Sequence, residues 1–267
     1  MNLFLRQTGP LDAPTTLFLH GAGVSSWMWM PVAARLTTRR SLMPDLPGLG
    51  RSVAAGPFSV ARAARAVAEL IRERVPDGRV YVVGHSLGGA VAAQLMADAP
   101  ELVERAVLIG VTAVPAPGLA ATIALMTMLG PLMRTELMIG IAARAMRVPA
   151  DHLTDFRADQ LGLKSDALRA VLREGAEFRV PAALAAFDRP ALVLVGAREL
   201  RVNLESAVAL ATVLPRGEAR LAPGGHAWFG EHPELLVAVL SAWFSGETLP
   251  EALGSLPVRG GAKPVSA

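Results

Sequence analysis

The sequence predicts an α/β fold: a mostly parallel sheet with helices on both faces and a helical cap inserted into it. Three observations carry this. Short apolar runs alternate with longer helical patterns along most of the chain. The alternation stops once, over residues 114–187, where helical stretches rich in Ala, Leu, Met and Arg follow one another without a strand pattern. One apolar run, Arg79-Val80-Tyr81-Val82-Val83, feeds directly into Gly84-His85-Ser86-Leu87-Gly88. A helical insertion in such a sheet usually covers the strand C-termini, where ligands bind.

The elements follow in order. Met1-Asn2-Leu3-Phe4-Leu5-Arg6 lacks the basic region and long apolar stretch of a signal peptide and reads as a first strand, so a cytoplasmic location is expected. Further strands are expected at 16–19, 41–44, 79–83, 106–109, 191–195 and 219–222. Helices are expected at 30–35, 60–74, 89–98, 203–213 and 233–244. The core is thus assigned to 1–113 and 188–246 and the cap to 114–187. The tail, 247–267, is rich in Gly, Pro, Ser and Ala without periodicity and is expected to be loosely ordered.

Composition bounds the function. A chain of 267 residues suits one large α/β domain with an inserted subdomain. It is 52% hydrophobic but only 5% aromatic, so Ala, Leu and Val supply the apolar content. There is no cysteine, which excludes disulfides and thiolate metal sites. Lys164 and Lys263 are the only lysines, and the arginines are dispersed among acids for a net charge of +3. Nucleic-acid binding is not expected from that pattern, nor is any metal or cofactor. The stretch Ala106–Met133 carries no charge and has the length of a membrane span, but Pro115, Pro117 and Gly118 interrupt it. It divides into a buried strand, Ala106–Gly110, and an apolar helix, Leu119–Met133. The helix is shorter than the ~20 residues a span requires, so no stable span is expected.

The Gly84-His85-Ser86-Leu87-Gly88 string has a mechanical reason. A serine at so tight a strand-to-helix turn takes a strained backbone conformation, and residues two before and two after must be nearly free of side chain. Ser86 is then exposed above the sheet edge as a candidate nucleophile, and Ala90–Ala97 supplies the following helix. Such a hydroxyl needs a base, an orienting acid and oxyanion donors. His226 is the expected base, since it follows the last strand inside the glycine loop Pro223-Gly224-Gly225-His226. His232 and His152 read as surface residues, His85 as packed within the turn, and His20 as a brace for its loop. The acid is expected in Gly196-Ala197-Arg198-Glu199-Leu200-Arg201, where Glu199 is the one carboxylate. Glu205 is the alternative, and Asp188 lies at the wrong end of the strand. The backbone N–H of Leu87, at a helix N-terminus, and that of Ala22, in His20-Gly21-Ala22-Gly23, are the expected oxyanion donors, with Gly23 second to Ala22.

These residues resemble the α/β-hydrolase family. The resemblance rests on His20-Gly21 with Trp27 downstream, Asp45-Leu46-Pro47-Gly48-Leu49-Gly50-Arg51-Ser52, the Ser86 turn, Gly196-Ala197-Arg198-Glu199, and Gly225-His226. The order Ser, acid, His is the family's. The resemblance implies that Asp45–Ser52 is a structural turn beside the site. It departs at Glu199, where similar members more often carry aspartate. Dehalogenases and epoxide hydrolases of the family place aspartate where Ser86 stands, so serine implies acyl chemistry. An esterase is the first expectation, with a lactonase, a thioesterase, an acyltransferase, a hydrolase of carbon–carbon bonds beside a ketone, or a ligand-binding relative with little turnover as alternatives. The Met-rich cap and the absence of a basic cluster in these loops favour a small to medium apolar substrate. Trp27 and Trp228, flanking the oxyanion and histidine loops, are expected as pocket walls, with Trp29 beside them.

Overall fold

The computed structural model describes residues 2–115 and 118–256. Its strands are β1 (Leu5–Thr8), β2 (Thr15–Leu19), β3 (Arg40–Pro44), β4 (Val80–His85), β5 (Val103–Ile109), β6 (Ala191–Gly196), β7 (Gly217–Ala222) and β8 (Gly254–Ser255). They form one sheet in the order β1-β3-β2-β4-β5-β6-β7-β8. β2 to β7 pair in parallel, while β1 runs antiparallel to β3 and β8 antiparallel to β7. The helices are α1 (Met30–Ala33), α2 (Val60–Arg74), α3 (Leu87–Asp98), α4 (Leu119–Met133), α5 (Glu136–Ala145), α6 (Leu153–Gly162), α7 (Ser165–Glu177), α8 (Arg201–Val213), α9 (Trp228–Glu231) and α10 (Pro233–Ser245).

The apolar runs are continuous because the inner strands are covered on both sides. In β2, Leu17 and Leu19 join the core formed with α2, α3 and α8, while Phe18 joins the opposite core formed with α1 and α10. α2 shows how a helix reads from sequence. Ser59 caps it by accepting the Arg62 N–H, and Ala63, Ala64, Val67, Leu70 and Ile71 form its buried stripe. α3 is buried almost all round, which accounts for its run of Gly and Ala without a polar face.

The stretch between β5 and β6 carries α4 to α7 and, among the described residues, no strand. Two expectations need adjustment. The first strand starts later, at Leu5. Phe4 receives the Asp45 N–H and donates its own to Ser52 Oγ, tying the chain to the 45–52 turn, and Met1 lies outside the described residues. The tail is built as far as Leu256, with Gly254 and Ser255 paired to Leu221 and Arg220 and Leu253 buried; residues 257–267 lie outside the described residues. The apolar helix α4 has the expected bounds and is largely exposed. Among the described residues no single helix is long and apolar enough to cross a membrane.

Candidate active site

Ser86 occupies the junction of β4 and α3 with φ 53° and ψ −115°. A positive φ in a non-glycine residue costs about 1–3 kcal/mol and persists only where the surroundings enforce it. Here a Cβ on Gly84 would strike the Gly88 carbonyl, and one on Gly88 would strike the carbonyls of Leu19 and His20. The strand, the helix and the end of β2 therefore meet closer than any side chain permits. The Ser86 N–H is held by the Ile109 carbonyl at 2.7 Å. The first bond along α3 is Ala90 N–H to Ser86 O, 3.1 Å, so the Leu87 N–H has no partner within the helix and the positive helix end lies beside the serine.

Glu199 and His226, the expected acid and base, lie in hydrogen-bond contact. Glu199 lies in a turn closed by its N–H on the Gly196 carbonyl, 3.0 Å. One carboxylate oxygen receives the Gly196 N–H at 2.8 Å and the other the His226 Nδ1–H at 2.7 Å. The Glu199 side chain is 2% exposed and that of His226 47%, so a buried anion orients a ring that reaches solvent. This bond assigns the Nδ1–H tautomer of His226 and leaves Nε2 as the free acceptor. Glu205, the alternative acid, pairs instead with Arg201 at 2.7 Å on the surface of α8. Gly110, after β5 with φ 61°, lets the chain pass beneath the pair: a Cβ there would lie 3.0 Å from the His226 ring and 3.3 Å from Glu199.

The two other site histidines are supports. His85 Nε2 donates to the His226 carbonyl at 3.0 Å, and the two rings lie 4.7 Å apart. Burial, with the neighbouring His226 adding to it, holds the His85 pKa well below its ordinary value, so the ring is a neutral post under the histidine loop. His20 donates from Nδ1 to Gly21 O at 2.8 Å and accepts the Leu46 N–H on Nε2 at 2.9 Å. Burial lowers its pKa too, in keeping with a brace that accepts a hydrogen bond. Asp45 completes the frame, taking the N–H groups of Ser26 at 2.9 Å and Arg51 at 2.8 Å. The loop they support runs against the serine: a Cβ on Gly21 would lie 3.5 Å from Ser86 Cβ.

A cavity of about 200 Å³ stands over Ser86. Ala22, Ser86, Leu87, Ala90 and Thr112 form its floor. Thr122, Ile123 and Met126 of α4, with Val171, Leu172, Gly175 and Ala176 of α7, form its roof. Ala22 and Leu87, whose N–H groups are the expected oxyanion donors, both line this floor. His226 does not line this cavity; its ring packs against Gly110 and His85, and among the described residues no hydrogen bond joins it to Ser86. Such bonds often tighten only in the substrate complex.

The tryptophans do not line it. Trp228 is 1% exposed, in the core against Phe229. Trp27 is also buried and holds the cap: its Nε1–H donates to Asp159 of α6 at 2.7 Å, and its ring meets Phe156 and His152. Trp29 stacks on Phe229. Their placement near the loops in sequence was correct, but large apolar rings are drawn to the core. Sequence reading missed Asn203 and Ser206 of α8. Asn203 Nδ2 donates to Gly110 O at 3.3 Å and Thr112 Oγ1 at 3.2 Å, and Ser206 Oγ accepts the Ala113 N–H at 2.9 Å. They fix the segment that carries Gly110 and Thr112 into the site, and nothing local in a helix signals a partner some 90 residues away. Among the described residues no three His, Asp or Glu side chains converge as a metal site would require.

The model of the alpha/beta hydrolase family matches residues 16–239. The chain belongs to this family. Over 109 residues, 41% of each chain, it is 37% identical to the lipase LipV of Mycobacterium tuberculosis. Over 103 residues, 38% of this chain and 34% of the other, it is 41% identical to the esterase Rv0045c of the same organism. The chain therefore spans about two-fifths or less of the length of these curated relatives. Among solved structures, a hydrolase from Pseudomonas aeruginosa PA01 superposes with a TM-score of 0.74 at 25% identity, covering 91% of this chain and 94% of that one.

Proposed function

We propose that this chain is a serine hydrolase of small to medium apolar esters and related carbonyl compounds, acting through an acyl-enzyme on Ser86. The observation that carries the reading is the buried Glu199 bonded to His226 Nδ1 beside a strained serine that floors an apolar cavity. Ser86 Oγ attacks the carbonyl carbon while His226 Nε2 takes its proton. The carbonyl oxygen becomes an oxyanion held by the N–H groups of Ala22 and Leu87. The intermediate collapses by breaking the bond to the leaving alkoxide, which receives the proton from His226 and departs as an alcohol. His226 next deprotonates water, which attacks the acyl carbon, and Ser86 recovers its proton as the carboxylic acid leaves. Glu199 holds the histidine tautomer and stabilises the imidazolium formed in each half-reaction.

The cavity is smaller than the roughly 300–1,000 Å³ of drug-sized pockets, which supports short acyl groups. The relatives named lipase and esterase support ester cleavage. Hydrolysis of p-nitrophenyl esters of increasing chain length, wild type beside Ser86→Ala, tests the reading. The wild type is expected to show a short-chain optimum, and Ser86→Ala to lose at least about 10⁴-fold in kcat with the fold intact by circular dichroism. A fully active Ser86→Ala protein overturns the mechanism. A wild type that binds esters saturably without cleaving them replaces it with a binding role.

A further inference from the structure

The roof helix α4 buries little of itself. Thr127 and Gly130 face inward, the latter against Leu168 of α7, while Leu125, Met128, Leu129 and Leu132 form a stripe that is 37–69% exposed. α5 continues it with Leu137, 72% exposed, and Ile141, 47% exposed. Of the fourteen exposed large apolar side chains among the described residues, nine fall between residues 125 and 146. A monomer in water rarely keeps so contiguous an apolar face uncovered. α4 and α5 meet at a bend of 112°, which keeps the pair from crossing a bilayer as one rod and suits two helices lying in a plane.

The charges along these two helices are mostly positive. Residues 118–147 hold Arg134, Arg144 and Arg147 but one acid, Glu136, which is bonded to Arg157. The described ion pairs include neither Arg144, which is exposed, nor Arg134, whose guanidinium also donates to the Leu163 carbonyl at 3.2 Å, and Arg147 lies 3.8 Å from Glu231. Met126 belongs to both surfaces: it lines the Ser86 cavity and is 46% exposed. We propose that the outward faces of α4 and α5 dock on a lipid surface carrying anionic headgroups, beside the mouth of the Ser86 cavity. The apolar stripe enters the acyl boundary, and Arg134 and Arg144 meet phosphates. A second protein copy on this face would have to supply acids to those arginines and would cover the mouth. A fluid lipid layer supplies anions and leaves an apolar path along Met126.

Docking goes beyond the hydrolase reading, and flotation measures it whether or not Ser86 turns over. The full chain is floated through a density gradient with phosphatidylcholine vesicles, with and without phosphatidylglycerol. Wild type is expected to float with the anionic vesicles and much less with the neutral ones. A Leu132→Glu, Leu137→Glu double variant is expected to lose roughly tenfold or more of the floating fraction while still cleaving a water-soluble short ester. Arg134→Gln with Arg144→Gln, which leaves the apolar face intact, is expected to remove the preference for anionic vesicles. Wild type that stays at the bottom with both vesicles overturns the proposal, as does a double variant that floats like wild type. A wild-type dimer in light scattering that the double variant turns into monomer assigns the face to a second copy instead.

Discussion

Beneath the Ser86 cavity, His20, His85, Asp45 and Asn203 are buried and each is hydrogen-bonded to backbone, whereas above it Leu125, Met126 and Met128 stand largely exposed on α4. The floor places a serine, a histidine and an oxyanion loop through carbonyls and N–H groups that have one arrangement. The roof is side chain on side chain, much of it methionine and leucine with several rotamers each. Chemistry that fails when atoms shift by an ångström belongs on the first, and accommodation of variable apolar groups on the second.

Glu199→Gln tests the floor most severely. The carboxylate accepts from both Gly196 N–H and His226 Nδ1–H. An amide offers one oxygen, so one of the two donors must face an NH₂ group. Either His226 adopts the wrong tautomer or the turn opens. A fall of about 10²–10⁴ in kcat with KM little changed is expected from ester kinetics. An unaltered kcat would mean that orientation of His226 comes from His85 and Gly110 alone.

One well-packed junction between the cap and the floor centres on Phe156. Its ring is 1% exposed and stands edge-on to Trp27 at 6.1 Å, within a cluster completed by Val24, Ile139 and Ala143. Phe156→Ala is expected to cost about 3–5 kcal/mol, seen as a lower melting midpoint in urea or heat. A cost near that of an exposed residue would show that the cap is held elsewhere.

The same junction carries a pH dependence. Asp159 is half-buried between α6 and the core, and this desolvation pushes its pKa up to about 6 against the hydrogen bonds from Trp27 and Ser25; the Asp45 and Asp155 carboxylates add to the rise. Arg6 and Arg51 face Asp155 rather than Asp159. The native state thus binds this proton more tightly than the unfolded chain does. Its contribution to stability is largest at pH 4 and below, declines as pH rises from about 4 to about 6, and is level above that. Asp159→Asn keeps an oxygen for Trp27 and removes the ionisation. It is expected to flatten the pH profile of melting and raise stability at pH 7 by at most about 3 kcal/mol. An unchanged profile would locate the titration elsewhere.

The floor was legible in the sequence and the junction was not. Ser86, Glu199, His226 and the Ala22 loop each follow a strand, and the backbone demands of those turns leave glycines at fixed offsets. Local spacing therefore carries three-dimensional information there. Trp27 and Asp159 are 132 residues apart and Asn203 and Gly110 are 93 apart. Their pairing depends on how the cap and α8 seat on the sheet, which no local pattern encodes. Trp27 and Trp228, expected as pocket walls, stand outside the lining of the Ser86 cavity for that reason: proximity along the chain to a site loop says which loop a ring belongs to, not which way it points. α4 shows the reverse case. Its bounds were plain from composition, while its exposure depends on α7 covering only a narrow strip of it.

Met126→Ala separates roof from floor with the smallest expected effect on the fold. The side chain is 46% exposed and lines the cavity, so its removal leaves space open to solvent rather than a sealed void. Stability is expected to change by less than about 1 kcal/mol, close to the range for surface sites. The cavity lengthens along α4, and the preferred p-nitrophenyl ester is expected to become longer. The ratio of kcat/KM for the longer over the shorter ester should rise about tenfold, the lower end of the range for one methylene in an apolar pocket. Because Ser86, His226 and Glu199 are untouched, kcat on the shortest ester should stay near wild type. If kcat falls for all chain lengths together, Met126 supports the geometry of the floor, and the division between a rigid floor and a yielding roof does not hold at this point.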